Sequence, residues 1–367
     1  MDDGEPVLPD YGGACVTNVM RALLEPSEEA PEWLPQPAVH AEQVVLLVID
    51  GLGWEQLQPR LHLAPTIGSL TGGPITTVAP STTSTALTSI ATGLTPGEHG
   101  VVGYRMAIDG DILNVLRWSV DGRDARETIP PEKIQSQLPF LGHRPAVITK
   151  ADFKSSGFTD AHLESVRFSG YRATSTLVVE ARRLLAENEP FVYAYYDGVD
   201  KVAHEYGLGE HYDEELRFVD HLVAELLGVL PPGAALVITS DHGQVDVGDR
   251  VVRLAPEVLA NTALQSGEGR FRWLHARPGR AAELLAAAQD HHGDQAWVLS
   301  VDELIAQGWL GPRVAEAARS RLGDVADVAR EPVAYFDPAD TGPYVLVGRH
   351  GSVTRAEMFV PLLAGLG

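Results

Sequence analysis

The chain has 367 residues and a single cysteine, with 28 Lys and Arg against 50 Asp and Glu for a formal net charge of −22. The lone Cys15 rules out a disulfide scaffold and thiolate metal sites, so any metal would be held by oxygen and nitrogen, and the acidic excess argues against a nucleic acid duplex as partner. At 44% hydrophobic and 21% charged residues a sizeable core is available, while no apolar run nears the roughly 20 residues that cross a bilayer.

In chain order, residues 1–40 are rich in Pro, Glu and Asp and predict an irregular lead-in with one helix around Thr17–Leu24. This start is acidic, with no basic, apolar leader, so a cytoplasmic location without membrane contact is expected. Val44–Ile49 is a continuous, β-branched apolar run that stops at Asp50-Gly51-Leu52-Gly53. The same form recurs at Ala146–Thr149, at Phe191–Tyr196 ahead of Asp197, and at Ala235–Thr239 ahead of Ser240-Asp241-His242. Helices are predicted between these runs at Ser84–Ala91, Thr174–Glu187 and Glu214–Leu230. Apolar strands alternating with helices predict an α/β fold, an open sandwich whose mostly parallel sheet is buried on both faces. Residues 256–340 differ in texture: strands at Arg272–Ala276 and Ala296–Leu299 and helices at Arg280–His291 and Arg313–Arg321 predict a smaller inserted α+β cap. The catalytic core would then comprise 41–255 and 341–367, the chain returning to it at Tyr344–Val347, with a second insertion near 105–140.

Carboxyl ends of parallel strands share one edge, where ligands bind. Asp50, Asp197 or Asp200, and Asp241 would converge there, and crowded carboxylates call for a neutralising cation. Histidines accompany them. His242 follows Asp241, His204 lies one helical turn after Asp200, and His350 follows the apolar stretch Tyr344–Val347. Imidazole and carboxylate without thiolate suit zinc or manganese. An acid after a strand is often only a cap or a turn residue. Histidines 62, 143, 211, 275, 291 and 292 stand alone and read as surface or hydrogen-bonded residues. Recurrence of acid and histidine at several strand ends is what favours a metal. The hydroxyl-rich run Thr76-Thr77-Val78-Ala79-Pro80-Ser81-Thr82-Thr83-Ser84-Thr85 leads into a helix, offering N-caps, an anion site and a metal-activated nucleophile. Gly51-Leu52-Gly53 is not a dinucleotide fingerprint, since Gln56 stands where the third glycine belongs.

Taken in order, Val45–Gly53, Pro80–Ala86 running to Ala91–Gly100, Asp200–Gly207, Ser240–Gly243 and Gly348–Gly351 resemble the alkaline phosphatase superfamily, specifically its type I phosphodiesterase / nucleotide pyrophosphatase branch. The resemblance implies a three-layer α/β/α sandwich and two divalent metal ions, zinc or manganese. Asp50, Thr83, Asp241 and His242 would hold one ion, and Asp200, His204 and His350 the other. It implies Thr83 as nucleophile, nine residues before the Thr92 of Thr92-Gly93, forming a covalent phosphothreonine. The asparagine usual three residues after the nucleophile is Ala86 here, so Thr85 or backbone amides would take its place. The implied activity is hydrolysis of a small-molecule phosphate ester, a nucleotide among the candidates, with Tyr104, Lys150 and Phe158 as further substrate contacts. A phosphomonoesterase using Arg349, Arg105 or Lys150, a phosphonate hydrolase, and a binding protein on an inactive scaffold are the alternatives. A sulfatase is not, for its formylglycine motif is missing. The oligomeric state is not encoded in any motif.

Overall fold

A computed structural model describes residues 4–340 and 345–367. Its main sheet contains β1 (Gln43–Ile49), β2 (Thr71–Thr76), β3 (Ala146–Lys150), β4 (Arg167–Tyr171), β5 (Phe191–Tyr196), β6 (Ala234–Thr239) and β7 (Phe359–Leu366). Their spatial order is β2-β7-β6-β1-β5-β3-β4. Strands β6, β1, β5, β3 and β4 run parallel, and β7 lies antiparallel between β6 and β2.

Why β1 reads as an unbroken apolar run is plain from its surroundings. Val44, Leu46 and Val48 enter the core on one face of the sheet, Val45, Leu47 and Ile49 the core on the other. Each such side chain contributes about 1.5–3 kcal/mol, before the entropy of ordering is subtracted. On the first face lie α1 (Val16–Leu24) and α2 (Thr83–Thr92), on the second α3 (Thr174–Ala186) and α5 (Glu210–Val229), while α4 (Gly198–Tyr206) follows β5 directly. Three layers result. The acidic lead-in contributes to this packing: Val16, Val19 and Met20 face the core from α1, and Cys15 pairs with Thr76 of β2. No described helix is long and apolar enough to cross a membrane.

Two four-stranded sheets accompany the main one. Arg105–Ile108, Asp111–Asn114, Ser119–Val120 and Arg123–Asp124 form an antiparallel set. Thr262–Gly267, Phe271–Ala276, Val325–Ala329 and Ala296–Ser300 form another, with the helix Ala281–His292 on a core of Leu274, Leu284, Ala288 and Val325. The helix expected over 313–321 shortens to Glu316–Arg319: Ala315 is extended (φ −64°, ψ 150°), and its N–H donates to the Gly97 carbonyl at 2.8 Å. Of the stretch expected to re-enter the core, Tyr344 lies outside the described residues, and the strand found there is Gly348–Arg349, paired with Val245–Asp246.

Register places the site. Val48 lies opposite Thr239 and Ile49 opposite Tyr196, so Asp50, Asp197 and Asp241 leave the sheet at nearly one level.

Candidate metal centre and catalytic hydroxyl

Asp50 follows β1, and Gly51 turns the chain with φ +74° so tightly that a Cβ there would sit 2.9 Å from Asp200 Cα. Asp200 and His204 occupy successive turns of α4, with His204 Nε2 3.3 Å from Asp200 Oδ1. Asp241 and His242 follow β6. His350 comes in beyond the short strand Gly348–Arg349, its Nε2 3.7 Å from Asp200 Oδ1.

His242 lies at the middle. Its Nε2 is 3.3 Å from Asp50 Oδ1 and 3.5 Å from Asp241 Oδ2. Two groups bring their ligand atoms within 4.8 Å of one another: Asp50, Asp241 and His242, and Asp200, His242 and His350. The first contains the side chains expected with Thr83. The second takes His242 in place of His204, whose ring centroid is 5.1 Å from that of His350 while His242 stacks on His350 at 3.5 Å. Each imidazole is oriented by the backbone. Nδ1 of His242 donates to Gly243 O (3.0 Å), that of His204 to Gly348 O (2.7 Å) and that of His350 to Ser81 O (3.0 Å). With Nδ1 donating, the neutral form of each imidazole presents its lone pair at Nε2, as metal-ligating histidines do, and His242 reaches that form once its second proton is displaced. The carboxylates are steadied on one side only. Tyr195 donates its hydroxyl to Asp50 Oδ2, Asp241 Oδ1 accepts from the N–H of Gly51 and of His242 (both 3.1 Å), and Gln244 Nε2 donates to Asp200 Oδ1 at 2.6 Å. Asp50 Oδ1 and Asp241 Oδ2 are buried without a hydrogen-bond partner among the described residues. Orphaned carboxylate oxygens facing bare imidazole nitrogens fit a divalent cation.

Without a cation, protons do the neutralising. Burial, then the charge of Asp50, pushes the Asp200 carboxyl up to about 8, and burial with Asp50 also holds Asp241 well above the carboxylate range. Burial lowers His242, but Asp241 and Asp50 override it and carry the imidazole up to about 10. Asp50 too is penalised by burial, yet its bond to His242 brings it below its ordinary value. Burial takes His204 down to about 4 and His350 further below the usual imidazole range. Asp200 and His242 thus bind protons more tightly folded than unfolded, so their contribution is complete at low pH and is lost as pH rises toward 8 and 10. The melting temperature of chelator-treated protein is expected to fall from pH 6 to pH 9. Added zinc or manganese should raise it more at pH 9, since protons no longer compete. Scanning calorimetry checks both; a metal effect equal at the two pH values contradicts the assignment.

Thr83 opens α2, its Oγ1 3.1 Å from His242 Nε2. Its neighbours are occupied elsewhere: Ser81 donates to Ser352 O at 2.6 Å and Ser84 to Gly103 O at 3.0 Å. Thr85 is wholly buried with Oγ1 unpartnered. Lys150 Nζ is 2.6 Å from Asp197 Oδ1, and Lys201 pairs with the other oxygen at 2.5 Å, so Asp197 is held between two ammonium groups. Tyr104 is half-buried, its hydroxyl accepting from Asn114 at 2.6 Å. Phe158 is buried and stacks on His162 with centroids 4.0 Å apart, away from solvent. Sequence reasoning missed Tyr195, Gln244 and Glu268. The first two contact Asp50 and Asp200; Glu268 lies beside Thr82, its carboxyl pushed by burial up to about 8. Gln244, two residues past His242, carried a positional signal; the others did not.

The sequence profile of the type I phosphodiesterase / nucleotide pyrophosphatase family matches residues 44–353. No curated protein matches significantly. Among solved structures, murine ectonucleotide pyrophosphatase / phosphodiesterase 5 is 17% identical with a TM-score of 0.67, covering 89% of this chain and 88% of that one. The same murine protein as an inactive threonine-to-alanine variant in complex with AMP matches at 17% and 0.67, covering 88% and 87%. Phosphonoacetate hydrolase from Sinorhizobium meliloti 1021, in complex with phosphonoformate, is 18% identical with a TM-score of 0.65, covering 89% and 90%. At such identities these likenesses establish the shared fold.

Proposed function

Because the chain belongs to the type I phosphodiesterase / nucleotide pyrophosphatase family, a group of phosphoric ester hydrolases, we propose that it cleaves phosphodiester or phosphoanhydride bonds by a two-step displacement at Thr83. Asp50, Asp241 and His242 with Thr83 would hold one divalent ion, and Asp200, His204 and His350 the other. Such ions supply positive charge that acidifies a hydroxyl and offsets charge on a departing oxygen.

The residues of the chain do the rest. In the first step Oγ1 of Thr83 forms a bond to phosphorus as the bond to the leaving oxygen breaks, giving a phosphothreonine. In the second, water displaces Oγ1 and restores the hydroxyl. The first-turn amides of α2, which a helix cannot satisfy internally, would offer donors to a phosphoryl oxygen at Thr83. The Nδ1 bonds to Gly243, Gly348 and Ser81 hold the imidazoles in one orientation through both steps. Lys150 and Tyr104 are the side chains proposed to meet the remainder of the substrate, a small phosphate ester such as a nucleotide. AMP, bound by a protein of the same fold, is a ligand of that kind, and phosphonoformate, bound by another, is a phosphonate.

One observation carries the reading: within the hydroxyl-rich run, Thr83 has its Oγ1 3.1 Å from the imidazole around which both ligand groups gather. The test is bis(4-nitrophenyl) phosphate and 4-nitrophenyl phosphate assayed side by side with zinc or manganese. Faster turnover of the diester is expected. Faster turnover of the monoester makes the protein a phosphomonoesterase instead, and no turnover of either with any metal overturns the reading.

A further inference from the structure

Away from the strand-end centre, a cavity of about 280 Å³ opens between the antiparallel 105–124 sheet and the segment that follows β3. Arg117, Ser119, Asp124 and Arg126 line it from the side of the sheet, Ser155 and Gly157 from the segment. Two arginines against one acid run counter to the overall charge of −22. A larger cavity, lined by Asp10 and Glu98, has no cation in its wall.

The shape of this cleft follows from Trp118. That residue is buried at φ +49°, a conformation costly for a bulky side chain, and its Nε1 donates to Ile129 O at 2.7 Å. Gly157 rests on the indole so closely that a Cβ would lie 2.3 Å from Trp118 Cγ. Arg117 and Ser119, on either side of Trp118, both stay on the cavity wall. Arg126 clasps the two walls together. Its Nη1 donates to Ser155 O at 2.8 Å, its Nε to both Asp124 oxygens at 3.0 Å, and its Nη2 to Asp124 Oδ2. These bonds hold the Asp124 carboxyl down to about 2, so the acid is spent on Arg126. Arg117 has no such partner. Its backbone N–H donates to Asn114 Oδ1 at 3.0 Å, but among the described residues its guanidinium makes neither an ion pair nor a hydrogen bond. The hydroxyls of Ser119 and Ser155 are likewise without a bond among the described residues.

We infer that this cleft binds a tetrahedral oxyanion, a phosphate or the phosphoryl group of a monoester, with Arg117 as its principal cation. The uncommitted guanidinium supplies a planar fork of N–H donors. Ser119 and Ser155 add hydroxyls from the two walls, so donors reach the cavity from more than one direction. A carboxylate has both oxygens in one plane and is served by one fork, whereas a phosphate has oxygens left for the hydroxyls. Arg126 and Asp124 together add no net charge. Arg117 and Ser155 are exposed, so binding is reversible and weakened by salt. The volume is at the lower end of what ligand pockets offer, which restricts the occupant to a small anion. Nothing in the cleft depends on the chemistry proposed for Thr83.

The test is inorganic phosphate titrated at constant ionic strength into the isotopically labelled full chain, followed by nuclear magnetic resonance. It is run on zinc-loaded and on chelator-treated protein. Amide signals of residues 117–122 and 155–157, and the Arg117 Nε–H signal, should shift saturably in both, since the cleft needs no metal. Arg117→Gln removes no bond within the described protein. It should weaken phosphate binding about tenfold while melting temperature and turnover of bis(4-nitrophenyl) phosphate stay unchanged. No saturable shift in the wild type, or equal affinity in Arg117→Gln, overturns the site. Shifts confined to Asp200, His242 and His350 and abolished by chelator put phosphate at the catalytic centre alone and overturn it too. Acetate is expected to bind more weakly than phosphate; equal affinity defeats the assignment to a tetrahedral anion. Methyl phosphate separates the two sources: if it displaces phosphate, the cleft accepts the phosphoryl group of a larger molecule, and if it does not, the ligand is free phosphate.

Discussion

Replacing Thr83 with alanine is expected to lower turnover by about four to six orders of magnitude, as removal of a covalent nucleophile does. The reason is that no neighbour is placed to take over: Ser81 and Ser84 are bound to backbone carbonyls, and among these hydroxyls Thr83 is the one hydrogen-bonded to His242. Thr83 sits in the first turn rather than at the cap, which is Thr82, so the fold should lose no more than about 1 kcal/mol. Asp50, Asp241 and His242 remain, and metal content measured by emission spectroscopy should stay near that of the wild type. Thr83→Ser keeps the hydroxyl and should keep a measurable rate. An alanine variant within tenfold of the wild-type rate would remove Thr83 from the chemistry.

The largest effect on stability is expected at Arg270 and Glu357. Both side chains are wholly buried. Besides the two bonds between them, Glu357 Oε1 accepts from Ser352 N at 2.9 Å and Oε2 from Thr354 Oγ1 at 2.6 Å, while Arg270 serves three backbone carbonyls. Removing one partner of a buried pair leaves an uncompensated charge and costs about 3–5 kcal/mol. For a chain of this size, Arg270→Met or Glu357→Leu should therefore lower the melting temperature by roughly 5 °C. An apolar double replacement often restores such losses, but here it leaves Glu331 O, Val333 O and Ser352 N without their partners, so little recovery is expected. Because Ser352 follows Gly351 directly after His350, metal affinity should fall as well. Calorimetry together with metal titration checks this; a double variant as stable as the wild type would mean the network is dispensable.

What could be read from the residues was whatever is local along the chain. Strands β1, β5 and β6 are short apolar runs with both faces covered, so their ends, and the acids beyond them, stood out. His204 was found from Asp200 by helical spacing, and the spacing is kept in α4. Thr83 stands out by the family's nine-residue spacing to Thr92 rather than by anything local, since a run of adjacent hydroxyls is locally uniform. What could not be read depends on partners distant in sequence. Tyr195 meets Asp50 across 145 positions, and Arg270 meets Glu357 across 87. Phe158 illustrates the limit from the other side. An aromatic residue near a loop can stack on a ligand or fill a core, and a contact with His162 decides which. The partition of the histidines is of the same kind, for proximity of His242 to both groups arises only when three strand ends and a distant loop are assembled.

Strand β7 bears on the order in which this protein is made. It is an inner strand of the main sheet, hydrogen-bonded to β6 on one side and to β2 on the other, although Thr76 at the end of β2 and Phe359 at the start of β7 are 283 positions apart. Until residues 359–366 have left the ribosome, β2 has no neighbour in the sheet, and the 345–358 segment that carries His350 and Glu357 has no anchor on its far side. The nascent chain can pair β1, β5 and β6 early, yet the ligand set stays open. Synthesis of the last strand therefore completes the sheet and the centre together.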